Sequence, residues 1–271
     1  MKSNLREKPA GRVIPLVHYA ETTPLFTLGD LRRRYGRKGG DPWMYAVISN
    51  LKRERRIRTV CPGVYAGALS QVPLNRYAVP GKLREDAVIA FHSALEFHGV
   101  ANQVFETVYY LSQRPRREVK YEQVTYHCVT PPKRLVQAGQ ADFQVDTHSG
   151  GIRVAGRERA LVDCLHSLEY SGGVDELDRC LAMFPSFDFE AAFKYLRLLR
   201  RPWLFARVGY LLDRHAEKLF FGGKWRDAFL RRVPRGVVYL ERKRPGCRWV
   251  ATWNLMVPPG LAELSKQAER G

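Results

Sequence analysis

The chain has 271 residues, 45% of them hydrophobic and 11% aromatic, enough for one large core or two modest ones and incompatible with wholesale disorder. Lys and Arg number 45 against 27 Asp and Glu, a formal net charge of +18, which favours phosphate-rich partners or, less specifically, anionic membrane surfaces. Residues 1–70 hold 14 Lys/Arg and 5 Asp/Glu, a net of +9, so half the excess sits in the first part of the chain. No run of about 18 apolar residues is present, and the segment MKSNLREKPAG lacks a signal-peptide core. Cys61, Cys128, Cys164, Cys180 and Cys247 are odd in number, widely spaced and without a CxxC pair. Reduced thiols in a soluble cytoplasmic protein are expected, with no structural zinc, no cofactor and no membrane partner.

Residues 12–67 read as one unit. Val13, Leu16, Val17 and Ala20 have the spacing of a buried helical stripe, with Pro15 inside it. Leu25-Phe26 suits a short strand. Thr27 precedes Leu28-Gly-Asp30-Leu31, a capping-box pattern with Asp where Glu or Gln is usual. Leu28, Leu31 and Tyr35 supply a second short stripe, and Gly36 is placed to end it. Asp41 as N-cap and Pro42 at the first helical position open a third helix over residues 42–56. Residues 57–60 and 64–66 read as strands joined by a Pro62-Gly63 turn. Three helices and then a hairpin is the order of a winged helix-turn-helix, assigned to residues 1–70.

On a helical wheel Met44, Val47, Ile48 and Leu51 form the docking face of the third helix, and Tyr45, Ser49, Lys52, Arg53 and Arg56 the opposite one. Arg53 can donate two hydrogen bonds to guanine, and Asn50 can pair with adenine. Ser49 and Tyr45 suit phosphate or base contacts, and Lys52 and Arg56 the backbone. Lys38 in the preceding turn, and Arg58 and Tyr65 on the hairpin, complete the expected DNA-binding set. If about six residues each neutralise a phosphate, the log–log salt slope is roughly −5. The plainer reading of such a face is a solvated helix surface.

Residues 71–85 read as a connector, with Pro73, Pro80-Gly81 and little periodicity. Residues 86–271 are expected to form a larger mixed α+β domain, making the whole chain α+β. Its predicted helices lie at 86–98, 157–169, 174–184, 188–200, 203–216 and 224–232. Its predicted strands lie at 107–111, 124–129, 236–241 and 250–257, with a hairpin over 143–154 turning at residues 149–151.

The segment LKRERRIRTVCPGVYAG, ending the N-terminal unit, resembles the winged helix of AbiEi-type antitoxins, transcriptional regulators of bacterial type IV toxin–antitoxin systems. There a leucine-plus-basic segment ends the third helix and a short wing closes on Gly-Val-Tyr, here Gly63-Val64-Tyr65. Ser93-Ala-Leu-Glu-Phe-His98-Gly99 is similar to the family's SALxxHG. Gly156-Arg-Glu-Arg159-Ala-Leu-Val-Asp163 is similar to its GxERTLVD, with Ala160 in place of threonine. Tyr170-Ser-Gly-Gly173, Arg207-Val-Gly209-Tyr-Leu-Leu212 and Trp253-Asn-Leu-Met-Val-Pro258 continue the likeness in order over residues 15–260. The resemblance implies a non-enzymatic repressor of its own operon that binds double-stranded operator DNA. It also implies opposition to a nucleotidyltransferase-like toxin, with or without a stable complex, and it leaves the oligomeric state open. It marks Ser93, His98, Arg159, Asp163 and Arg207 as C-terminal functional candidates.

These residues have structural readings too. Arg159 and Asp163, at i and i+4, suit a helix-surface ion pair, and His98 before Gly99 a helix C-cap. Trp253 suits core, and Gly172-Gly173 a helix-entry turn rather than an anion site. Two alternatives stand beside the repressor. Glu241-Arg-Lys243, after an apolar strand, matches half of a PD-(D/E)xK nuclease pattern, with the upstream Asp213 and Asp227 on predicted helices and no Pro-Asp before them. A basic RNA-binding accessory protein is the other.

Overall fold

The first apolar stripe folds as α1 (Ala10–Thr22), with Pro15 inside the helix and Leu16 and Ala20 fully buried. The computed structural model describes residues 10–36, 42–243 and 245–262. Lys38, expected to contact DNA, and Asp41, expected to cap the third helix, lie outside them. After β1 (Phe26–Thr27), the capping box of α2 (Leu28–Tyr35) forms in full. Thr27 Oγ1 accepts the Asp30 N–H at 3.0 Å, and the Thr27 N–H donates to Asp30 Oδ2 at 2.8 Å. Aspartate therefore does here what the longer glutamate usually does. Then come α3 (Pro42–Arg53), β2 (Ile57–Cys61) and β3 (Val64–Gly67), the strands joined through Gly63 at φ 86°. β1 and β2 flank β3, both antiparallel to it.

Helix α3 stops three residues short of the expected end. Arg55 takes a left-handed φ of 57°, and the Arg56 N–H turns back to the Leu51 carbonyl at 2.9 Å. Leu16, Phe26, Leu31, Met44, Ile48, Leu51, Ile57 and Tyr65 close a small core among these elements.

The hairpin has a second allegiance. Val60, Cys61, Val64 and Ala66, with Leu25, belong to the large core that fills the rest of the molecule. The expected connector is part of that core as well. It carries a 3-10 turn (Arg76–Ala78) and α4 (Val79–Leu83), with Val79, Pro80 and Leu83 buried.

Residues 86–98 were expected as one helix and instead divide into β4 (Val88–Ile89) and α5 (Phe91–Phe97). Phe91 makes the break with a φ of 54°. Ala87, Val88, Ile89 and Ala90 are all buried, and an apolar run without alternation does not distinguish a central strand from a buried helical turn. There follow β5 (Thr107–Leu111), β6 (Val119–Tyr121), β7 (Val124–Val129), α6 (Lys133–Gln137), β8 (Val145–His148) and β9 (Ile152–Ala155). These strands make a mixed six-stranded sheet in the order β6-β7-β5-β4-β9-β8.

Helix α7 (Arg157–His166) packs on α5 beside this sheet. A helical layer continues through α8 (Val174–Met183), α9 (Phe189–Leu199), α10 (Pro202–Arg214), α11 (Ala216–Leu219) and α12 (Gly223–Leu230). A small sheet of β10 (Val238–Tyr239), β11 (Arg248–Val250) and β12 (Leu255–Val257) precedes α13 (Pro259–Ala262). The expected strand over 250–257 is thus two strands around a 3-10 turn that buries Trp253. The architecture is mixed α+β. No helix among the described residues is long and apolar enough to cross a membrane.

Candidate nucleic-acid interface

Helix α3 divides as its sequence predicts. Met44, Ile48 and Leu51 are buried, Val47 is half-buried, and Tyr45, Ser49, Asn50, Lys52 and Arg53 are exposed. The Arg53 guanidinium donates to Asn50 Oδ1 at 3.2 Å, holding the two base-reading candidates side by side. Lys52 and Arg53 have no carboxylate partner among the described residues.

Three expected contacts change. Arg56 lies beyond the helix end, where its guanidinium bonds the buried Glu21 carboxylate and pairs with Glu54 at 3.3 Å. These partners, Glu21 before Glu54, raise its pKa. Arg58 is exposed but pairs with Glu122 of the β6–β7 turn at 3.0 Å. Tyr65 is a correction: it is 7% exposed, its ring 5.7 Å from that of Phe26, and burial raises its hydroxyl pKa. Strand β3 has core on both faces, Tyr65 in the small N-terminal core and Val64 and Ala66 in the large one, so no surface remains for Tyr65.

The turn of the hairpin also points to the rest of the molecule. The Cys61 thiol accepts from Arg116 at 3.3 Å, and Lys82 reaches Asp30 at 3.0 Å. Pro62, Gly63 and Val64 line a cleft of 670 Å³ shared with Lys82, Arg84 and Arg114.

Basic residues outside the expected set border α3. Arg32, Arg33 and Arg34 on α2 are exposed. Arg32 bonds the Tyr45 hydroxyl and stands 5.4 Å from its ring, so it steadies a residue of the exposed face. The run Arg-Arg-Arg at 32–34 was the available signal.

The C-terminal candidates do not converge on a site. Ser93 is buried, accepting the Tyr109 N–H at 2.9 Å and donating to the Thr107 carbonyl at 3.3 Å. His98 is the C-cap residue of α5, with its Nε2 2.8 Å from the Ala155 carbonyl. Burial lowers its pKa, so the ring donates that bond as neutral imidazole. Arg159 and Asp163 are not on a helix surface; both are buried, 3.4 Å apart. Arg159 also donates to the carbonyls of Ala141 (2.9 Å) and Phe143 (2.5 Å), while the Tyr195 hydroxyl donates to Asp163 at 2.6 Å. Helix α7 is enclosed by α5, α9 and α10, which the i, i+4 spacing alone does not reveal. Arg207 clamps the Tyr239 and Leu165 carbonyls at 2.9 and 2.8 Å over the Trp203 ring. Burial pushes its pKa down to about 10.

Glu241 is occupied structurally. Its Oε1 accepts the Val174 N–H at 3.1 Å, placing a carboxylate at the N-terminus of α8, where the helix dipole favours an anion. The Gly172-Gly173 entry to α8 thus receives the chain's own anion. Asp213, upstream of it, is engaged by Arg226 at 2.7 Å and by the Trp253 indole at 3.0 Å.

His92, Glu176 and Cys180 bring one potential metal-ligand atom each within 4.8 Å of one another. The His92 ring nitrogens sit 3.0 Å from Glu96 Oε1 and from Glu176 Oε1. Glu176 Oε1 also accepts the N–H groups of Asn102 and Gln103 at 3.0 Å and the Cys180 thiol at 3.3 Å. Burial works to raise the Glu176 carboxyl, but the bonds from His92, Cys180, Asn102 and Gln103 hold it below its ordinary value. Burial pushes the Cys180 thiol up to about 12, so at neutral pH it is protonated and donates to Glu176. The group ties α5, α8 and the loop after α5 together by hydrogen bonds.

No protein-family model matches the chain, and no curated protein matches it. Among solved structures it is similar to the crystal structure of the RV2827C protein from Mycobacterium tuberculosis, with a TM-score of 0.61 and 16% identity over 96% of this chain and 94% of that one. That likeness is one of fold.

Proposed function

We propose that the protein is a non-enzymatic, DNA-binding repressor of its own operon and the antitoxin to a nucleotidyltransferase-like toxin. In this reading the N-terminal unit is a winged helix-turn-helix, with α3 in the major groove of operator DNA. The observation that carries it is the exposed face of α3, where Tyr45, Ser49, Asn50, Lys52 and Arg53 stand together opposite a buried apolar anchor. This face combines the residue types that contact phosphates with the Arg and Asn that read guanine and adenine edges. Arg32–Arg34 extend the positive field beside it.

The antitoxin half rests on the motif order from Gly63-Val64-Tyr65 to Trp253-Asn-Leu-Met-Val-Pro258. The nuclease alternative is disfavoured because Glu241 already caps α8 and Asp213 is held by Arg226 and Trp253.

The test has two arms. In a mobility-shift assay the full chain should retard duplex from upstream of its own gene more strongly than a scrambled duplex. Co-expression with the neighbouring gene should relieve that gene's toxicity. Equal retardation of both duplexes sinks the repressor, and a neighbour without toxicity sinks the antitoxin.

A further inference from the structure

Positive charge gathers at a second place, built wholly from residues of the C-terminal region. A cleft of 960 Å³ opens among α6, α9, the α9–α10 junction and the end of α12. Arg134, Lys194, Arg197, Arg200, Arg201 and Arg232 line it, and no carboxylate does. Lys194 pairs with Glu190 at 2.6 Å. Among the described residues the guanidinium groups of the five arginines have no ion-pair or hydrogen-bond partner. The cleft of 670 Å³ beside the hairpin differs, because there Asp30, Glu85 and Asp86 are interleaved with the cations.

Two further features make this cleft more than a basic surface. Phe143 and Pro202 give it an apolar wall, with Leu135 and Phe205 buried in the core at its lining, and Phe143 is fixed by stacking on Tyr195 at 5.7 Å and 5°. Arg200 holds the left-handed C-cap position of α9, φ 49° and ψ 45°, where glycine is the unstrained residue. A non-glycine residue is strained there, and its side chain places one more guanidinium at the rim.

Like-charged side chains that converge without counter-charges repel one another, and a bound polyanion relieves that repulsion. The volume falls within the range of small-molecule pockets, and an apolar wall beside charged groups suits a ligand with one aromatic and one phosphorylated end. We propose that this cleft binds a nucleoside triphosphate, its phosphates held by the arginines and its base against the Phe143–Pro202 wall.

Titration calorimetry on the full-length chain with ATP and with inorganic tripolyphosphate tests this. ATP should bind saturably and more tightly than tripolyphosphate. Arg197→Ala with Arg201→Ala should weaken ATP by at least about tenfold, the scale of lost charge-assisted bonds. Arg200→Gly should weaken it too while keeping or raising the melting temperature, which separates lost binding from lost folding. Lys52→Ala with Arg53→Ala should leave ATP binding unchanged. The proposal is overturned if ATP does not bind saturably at millimolar concentration, or if tripolyphosphate binds equally well. It is also overturned if the cleft variants bind ATP like wild type, or if they lose only oligonucleotide binding.

Discussion

Lys52 and Arg53 are the α3 cations that no carboxylate neutralises among the described residues, so replacing both with alanine perturbs the proposed reading face most directly. Each phosphate neutralised on duplex DNA contributes about 0.9 to the log–log salt slope, and losing two contacts should flatten it by about 1.8. Between about 50 and 200 mM salt, a fourfold change, wild type should lose about tenfold more affinity than the double variant. If Arg53 also reads a guanine, discrimination at that base pair should fall by about 1–3 kcal/mol, measurable with single-base operator variants. Arg56→Ala should behave differently, because it leaves the buried Glu21 carboxylate without its cation and so lowers the melting temperature. Mobility shift or fluorescence anisotropy over a salt series reads the slope, and circular dichroism checks the fold. A slope in the folded Lys52→Ala, Arg53→Ala protein identical to wild type would refute the assignment of α3 to the groove.

Two stability predictions follow from the C-terminal region. Asp178 is held by Arg214 through Nε–Oδ1 and Nη2–Oδ2 bonds of 2.9 Å and by His215 at 2.9 Å; burial works to raise its carboxyl, but these bonds hold it well below the ordinary value. A depressed folded pKa means stabilisation that is present above about pH 4 and lost as pH falls below it. Asp178→Asn should therefore cost about 2 kcal/mol at pH 7 and show a flatter acid limb in denaturant titrations between about pH 4 and 2. A methyl group on Gly209 would stand 2.1 Å from the Trp253 ring, so Gly209→Ala should destabilise by about 3 kcal/mol or more, read as a lower thermal midpoint. An unchanged midpoint would show that the ring can move aside.

Local signals written in neighbouring residues were legible from the chain alone. The Thr27–Asp30 capping box, the split of α3 into Met44-Ile48-Leu51 and Tyr45-Ser49-Lys52-Arg53, and strands β5 and β7 at their observed limits all depend on contacts a few residues apart or on simple periodicity. What required tertiary structure was each side chain's partner distant in sequence. Arg56 and Arg58 look like free cations until Glu21 and Glu122 arrive from 35 and 64 residues away. Arg159 and Asp163 have the spacing of a surface pair, yet the packing of α5, α9 and α10 around α7 buries them. Tyr65 alternates like a surface residue of a hairpin, and the packing of the N-terminal helices and Phe26 against that face encloses it. The cleft of Arg134, Arg197, Arg201 and Arg232 draws on residues spread over about a hundred positions and so leaves no local pattern to read. Periodicity reports which face of an element is apolar, and chain folding decides what that face, and the charges opposite it, come to meet.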